Sequence, residues 1–318
     1  MRPIRLALLL AAAGLLAGCA TLQSDRIRED PGDLPPRAVV SGVPFYAQEA
    51  HYCGPASLAM VLSRAGAAVS QDDVAPQVFT PGKEGSFRTD LLAAARRRGY
   101  LALTVRGMRD LLAELASDHP VLVFQNLGLS WYPEWHFAVA IGYDLPAGDI
   151  MLHTGTREAR LLSLDTFEYT WARTGYWGML VLPPDELPPT ADASAVLEAA
   201  VGLEQAGRNR AAAQSYAAAT RRWPRRLGGW VGLANARYRL GDLNGAEEAL
   251  RAALDRHPRA AEAWNNLAVV LADRGEKGAA VAAAEKAVEL GGAPAYRRTL
   301  REVGGGPASG ASAGEGGG

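Results

Sequence analysis

The sequence predicts an α+β domain followed by an all-α repeat array, and three observations carry that prediction. Between residues 41 and 183 helical spacing comes first, in PASLAMVLSRAG, TDLLAAARRRG and RDLLAELASDH. Apolar, β-branched runs follow in VLVFQNLG, HFAVAIGYD, DIMLHTG and GMLVL. A break at 183–194, PPDELPPTADAS, holds four prolines and separates this part from the rest. Beyond it the chain repeats: Gly207, Gly241 and Gly275 are spaced by 34 residues, and Pro224 with Pro258, Trp230 with Trp264 and Leu233 with Leu267 share that period.

A chain of 318 residues, 48% hydrophobic and 21% charged, can bury the core of two domains. Its formal net charge of -1 gives no global reason to expect nucleic acid as a partner. The basic run RRWPRR at 221–226 reads as a solvated helix end.

The N-terminus stands outside the fold. Arg2 and Arg5 flank the start of LALLLAAAGLL, an apolar stretch too short to span a bilayer comfortably, which ends in Leu16-Ala17-Gly18-Cys19. That ending resembles the lipobox of bacterial lipoproteins, in which the cysteine is acylated and becomes the first mature residue. The resemblance implies a signal peptide at 1–18 and a lipid on Cys19; Ala20 in place of Asp favours outer-membrane sorting. Residues 19–40, polar and proline-bearing, are expected to form a tether from membrane to domain. At the other end, 304–318 is too rich in Gly and small residues to bury anything and is expected to be disordered.

The period of 34 with its W-x-x-L pattern resembles the tetratricopeptide repeat. Repeats are expected at 193–226, 227–260 and 261–294, after a linker at 184–192, with a terminal helix to 303. Ala212, Ala246 and Ala280, and then Ala219, Ala253 and Ala287, fall where paired helices approach closely. The glycines turn the chain between the two helices of each repeat, and the prolines end the second. Val196 takes the Trp position in the first repeat, as a degenerate cap would.

Within 41–183 the stretch AQEAHYCGPASLAM contains Cys53, and the chain has only one other cysteine. With Cys19 lipidated, no intramolecular disulfide is available to Cys53. One Cys without a second Cys and a nearby His makes a poor zinc site, and neither a metal nor another cofactor is expected. Cys53 precedes Gly54-Pro55 at the start of a helix, where backbone N–H groups and the helix dipole favour a thiolate. Gln48, five residues earlier, can aim an amide N–H at an oxyanion beside the thiol, and His136 opens a strand that can deliver an imidazole. His51 is read as a loop residue, and His119 and His257 as surface residues. For Trp131, Tyr132 and Trp135 packing and a substrate-groove wall are both open.

Q-x-x-x-x-C-G-P-A-S-L-A-M followed by H-F-A-V-A-I-G-Y-D resembles the C39-like peptidases, papain-fold cysteine proteases whose best-known members trim double-glycine leaders of bacteriocins. The resemblance covers about 43–182. It implies Cys53 as nucleophile, His136 as base and Gln48 as oxyanion donor. Family members usually place an Asp on the next strand to orient the imidazole. Here that strand reads DIMLHTG, so His153 or Thr154 stands in its place, and His153 is taken as the third member. Asp144 and Asp149 read as turn residues.

Together these features predict a membrane-anchored thiol peptidase of the bacterial envelope, facing the periplasm. Its Cys53 thiolate would attack a peptide or protein substrate, and its repeats would recruit substrate or a protein partner. The alternatives are a catalytically silent C39-like binding module in a lipoprotein scaffold, or acyl transfer by the same Cys-His pair. An exporter-bound role is disfavoured, because GxxxxGK[ST] is absent and no further apolar segment is long enough to cross a membrane. The lipobox is testable directly: Cys19→Ala is expected to leave the precursor unprocessed or to release the protein from membrane fractions. Unchanged cleavage and fractionation would refute it.

Overall fold

The computed structural model describes residues 22–48, 52–83 and 85–305. The expected signal peptide, Cys19, His51 and the tail from residue 306 lie outside the described residues. The chain divides into two compact units, 1–91 with 104–180 and 92–103 with 181–318.

The first unit is built on helix α1 (Gln23–Glu29), strand β1 (Arg37–Val39), helices α2 (Cys53–Arg64) and α3 (Gln71–Val78), and the short hairpin β2 (Phe79–Thr80) and β3 (Gly85–Ser86). Along the chain then come α4 (Arg88–Arg97) and β4 (Leu101–Arg106), of which residues 92–103 count with the second unit, and α5 (Met108–Ala116), β5 (Val121–Asn126), β6 (Trp135–Asp144), β7 (Asp149–Thr154), β8 (Arg157–Ser163), α6 (Leu164–Ala172) and β9 (Trp177–Leu182), whose last two residues do so as well. The main sheet runs β4-β9-β5-β6-β7-β8, with β1 beside β6. Strand β6 is central: it pairs antiparallel with β5 over 135–140, with β1 over 142–144 and with β7 on its other edge. Its continuous apolar run, buried from Phe137 to Tyr143, is what a two-sided central strand requires. Helix α3 escapes the sequence reading because it is short and carries Pro76; a Ser70–Asp73 capping box secures its start. Helix α6 interrupts the expected order of helices first and sheet after. It supplies Phe167 and Trp171, the largest fully buried side chains among the described residues.

The expected tether is not a tether from residue 22 onward. The Glu168 carboxylate, fully buried on α6, accepts from the N–H groups of Gln23 and Ser24, both at 2.7 Å, and from Tyr176 Oη at 3.0 Å. These are first-turn N–H groups that have no partner inside α1. Gln23 Oε1 in turn accepts from Met108 N at 2.9 Å, at the start of α5. Ile27 enters the core, Arg109 holds the carbonyls of Asp30 and Pro31 at 2.9 and 3.1 Å, and β1 joins the sheet. The polar, proline-bearing composition misleads, since the acceptor that orders it lies more than 140 residues away.

The second unit is helical from α7 (Ala193–Gln205) and α8 (Asn209–Arg222) through α9 (Leu227–Arg239), α10 (Leu243–Arg256), α11 (Ala261–Asp273) and α12 (Lys277–Leu290) to α13 (Pro294–Val303). The 34-residue period appears as repeated geometry. Gly207, Gly241 and Gly275 adopt φ of 72°, 78° and 83°, the left-handed turn between paired helices. Trp230 Nε1 donates to Pro224 O and Trp264 Nε1 to Pro258 O, each at 2.9 Å, so the Trp of one repeat locks the proline ending the previous one. Ala212, Ala246, Ala280, Ala219, Ala253 and Ala287 are all buried where a larger side chain would part the helices. The 184–192 segment is fastened rather than free: Ser215 Oγ donates to Pro184 O at 2.6 Å, and Arg222 to Pro188 O and Pro189 O at 2.7 and 2.9 Å.

Glu168→Ala removes the acceptor of two backbone N–H groups and a phenol. It is expected to destabilise the first unit by about 3 kcal/mol, read as a lower urea midpoint, with α1 becoming susceptible to proteolysis. An unchanged midpoint would show that α1 is held by Ile27 and its other contacts rather than by Glu168.

Candidate active site

Helix α2 begins at Cys53 without a side-chain cap, leaving first-turn N–H groups for whatever stands there. Gly54 is required because a Cβ at this position would overlap the Ser86 side chain of β3. The N–H groups of Phe137, Gly54 and Cys53 itself bond to the sulfur. Since Phe137 follows His136 on β6, the thiol sits against the strand that carries the imidazole. Cys53, His136 and Gln48 line one cavity of about 720 Å³, together with Ser86, Phe124 and Trp135.

Gln48 is buried, and every group of its side chain is engaged. Its Oε1 accepts from Gly155 N at 3.0 Å; its Nε2 donates to Ser57 Oγ at 3.2 Å and to Phe137 O at 3.4 Å. Its backbone N–H bonds Gly155 O at 2.9 Å. One residue therefore ties α2, β6 and the β7–β8 turn together.

The third position differs from the expectation. His136 Nε2 lies 2.7 Å from Thr154 Oγ1. His153 does not reach it: its Nε2 meets Val43 O at 3.2 Å and its Nδ1 accepts from Ala159 N at 3.1 Å. Strand parity explains the swap. His153 pairs with Val139 and shares its face of the sheet, and His136 is an odd number of residues from Val139, so it faces the other way with Thr154. His153 is a structural pin for the segment at Val43, and Thr154 is the neighbour of the imidazole. With Nε2 held by a hydroxyl, Nδ1 is the ring nitrogen left for the thiol.

The electrostatics also depart from the sequence reading. Burial pushes the Cys53 thiol up from its ordinary value, and the three N–H groups on the sulfur pull the other way. Burial, with the Arg160 charge adding to it, brings the His136 imidazole down to about 4. The helix start favours a thiolate, but desolvation opposes it more strongly at the thiol, and desolvation disfavours the imidazolium of His136 as well.

Of the remaining candidates, Trp135 is a groove wall: it stacks on Phe124 at 5.4 Å and 18° and lines the cavity. Trp131 and Tyr132 stay out in solvent, 81% and 74% exposed, on a β5–β6 loop whose ends are held by Asn126 Oδ1. Asp144 closes a turn through Ala147 N at 3.0 Å. His119 is not a surface residue; it is buried, with Nδ1 2.7 Å from Glu114 Oε2. Sequence reasoning misses Ser86, Phe124 and Arg88. None stands in a motif, and only the Phe124 strand has a periodic signal.

Residues 40–179 match the Peptidase_C39 like family. Two stretches of the C-terminal unit, 197–243 and 231–296, match the Tetratricopeptide repeat. Among solved structures the chain is similar to a putative C39-like peptidase from Bacillus anthracis, at 19% identity and a TM-score of 0.40, over 46% of this chain and 97% of that one. It is similar to a thermophilic TPR protein of Thermus thermophilus, at 28% identity and a TM-score of 0.34, over 36% of this chain and 65% of that one. The first TPR domain of human RPAP3 matches at 18% identity and a TM-score of 0.35, over 36% of this chain and 90% of that one. No curated protein matches the chain.

In the first unit, iodoacetamide alkylation of Cys53 is expected to rise with a midpoint above the free-cysteine value of about 8.5, and His136→Ala is expected to move it little. Fast alkylation well below pH 7 that disappears in His136→Ala would instead reveal a thiolate–imidazolium pair. Because the imidazole resists protonation in the fold, stability should fall as pH drops from 6.5, where an unfolded histidine gains its proton, towards about 4.

Proposed function

We propose that the C39-like domain is a cysteine peptidase in which Cys53 attacks and His136 acts as general base from its neutral form. The observation that carries this reading is the shared cavity: a thiol at a helix start, bonded by the N–H following His136, and an imidazole whose far nitrogen is held by Thr154. Nδ1 takes the thiol proton as the sulfur–carbon bond forms and the carbonyl electron pair moves to oxygen. The oxyanion would lie by the Cys53 N–H and by Gln48 Nε2, replacing the long bond to Phe137 O. The imidazolium then returns its proton to the leaving amine as the carbon–nitrogen bond breaks, and water resolves the acyl-enzyme. Acyl transfer differs only in an amine taking the place of that water.

In this reading the enzyme is anchored through acylated Cys19 in the bacterial envelope, facing the periplasm from the outer membrane. The lipobox-like sequence supports the anchor. Because α1 starts at Gln23, such an anchor would hold the folded domain within about 15 Å of the bilayer. The repeats recruit substrate or a protein partner, a role that repeats of this kind generally serve.

A second reading, a catalytically silent binding module, is favoured by one observation: a hydroxyl stands where a carboxylate would stabilise the imidazolium. Turnover of a mixed peptide pool, followed by mass spectrometry, separates the two. Cys53→Ser and His136→Ala are expected to lower turnover by roughly 10²–10⁴, and Thr154→Val to lower it less. Peptides bound but uncleaved by wild type, and equally by Cys53→Ser, would establish the silent module.

A further inference from the structure

The cavity around Cys53 carries a charge pattern that the reaction does not use. Among the described residues its charged lining groups are Lys83, Arg88 and Glu134, two cations against one anion in a chain of net charge -1. The Arg88 guanidinium lies over the Phe124 ring at 5.6 Å and over the Trp177 ring at 5.8 Å. A cation–π contact at this distance sets the charge near the rings and leaves the guanidinium N–H edge available. Among the described residues no carboxylate, carbonyl or hydroxyl accepts from that edge. Neither Lys83, Arg88 nor Glu134 has an ion-pair partner there.

The aromatic seat of Arg88 is continuous with the reacting centre. Phe124 packs on Phe137 at 4.5 Å, and Phe137 bonds to the Cys53 sulfur through its N–H. The route from Phe137 through Phe124 to the Arg88 guanidinium is on the order of 10 Å, which an extended peptide covers in about three residues at about 3.5 Å each. Phe87, half exposed, and Trp135 supply apolar walls along the same cavity.

We infer that this wall is a subsite for an acidic substrate side chain, with Arg88 as the anion-recognising residue, Lys83 as a supporting charge, and the acid within about three residues of the scissile bond. An Arg anchored on aromatic rings is pre-oriented for a carboxylate, so little side-chain freedom is lost on binding. Glu134 on the same lining limits the site to one acidic group and disfavours a run of them. This inference rests on Cys53 being the reactive residue of the cleft.

The test uses affinity alkylation, which requires neither a known substrate nor turnover. The full chain is treated with N-iodoacetyl-Gly-Glu-amide or its isostere N-iodoacetyl-Gly-Gln-amide, and Cys53 modification is followed by mass spectrometry. Each rate is divided by that for free cysteine under the same conditions. The acidic reagent is expected to react about fivefold faster than the neutral one, the factor that a 1 kcal/mol ion pair supplies. The preference should shrink with added salt. Arg88→Gln should abolish it, Arg88→Lys should retain part of it, and Glu134→Gln should widen it. Since Lys83, Arg88 and Glu134 are exposed, these variants are expected to fold, and iodoacetamide reactivity provides the check.

Equal normalised rates for the two reagents in wild type, or a preference unaltered in Arg88→Gln, overturn the subsite while leaving the nucleophile reading intact. Failure of Cys53 to react with any reagent, iodoacetamide included, overturns both.

Discussion

The side-chain amide of Gln48 is the interaction on which the candidate site depends. It is buried, at 7% exposure, and an amide in such a place must satisfy its donors and acceptor internally. It does so by bonding Ser57 on α2, Phe137 on β6 and Gly155 after β7. Those three elements bring Cys53, His136 and Thr154 respectively, so a single satisfied amide sets the register between thiol, imidazole and hydroxyl. The Gly54–Ser86 approach acts on the same joint from the other side, letting α2 start close enough for the sulfur to receive the Phe137 N–H.

The electrostatic character of the site follows from what surrounds that joint. A helix start offers partial positive charge to a thiolate, but a sulfur enclosed by apolar walls loses hydration, and here the loss outweighs the gain. The same enclosure, with Arg160 nearby, disfavours the imidazolium. A carboxylate at the third position would offset the imidazolium's cost by supplying a fixed negative charge. Thr154 supplies orientation and no charge, so nothing at that position offsets the cost of an imidazolium. The cations Lys83 and Arg88 line the same cavity, yet neither charge contributes to the shift of the Cys53 thiol.

What can be read from the chain and what cannot divide along sequence distance. The repeats are legible because each is a local unit. Gly241 turns a helix pair, and Trp264 reaches only as far as Pro258. Helix α2 and strand β6 are legible for the same reason, through periodicity. The α1 segment misleads because Glu168 orders it from the far side of the sequence. His119 misleads because its partner Glu114, although close in sequence, is buried by packing that no local pattern announces.

The amino-acid sequence by itself determined the two-part architecture, the 34-residue period and the trio Gln48, Cys53 and His136, since motif spacing and helical or strand periodicity are properties of neighbouring residues. Tertiary structure alone decided between His153 and Thr154. The alternation of a strand is certain, but which face meets the imidazole depends on the pairing of β7 with β6. It also decided the direction in which the thiol and the imidazole are shifted, because desolvation is set by what packs around a group. The aromatic cradle of Arg88 belongs to the same class: Arg88, Phe124 and Trp177 are far apart along the chain and meet only when the sheet has formed.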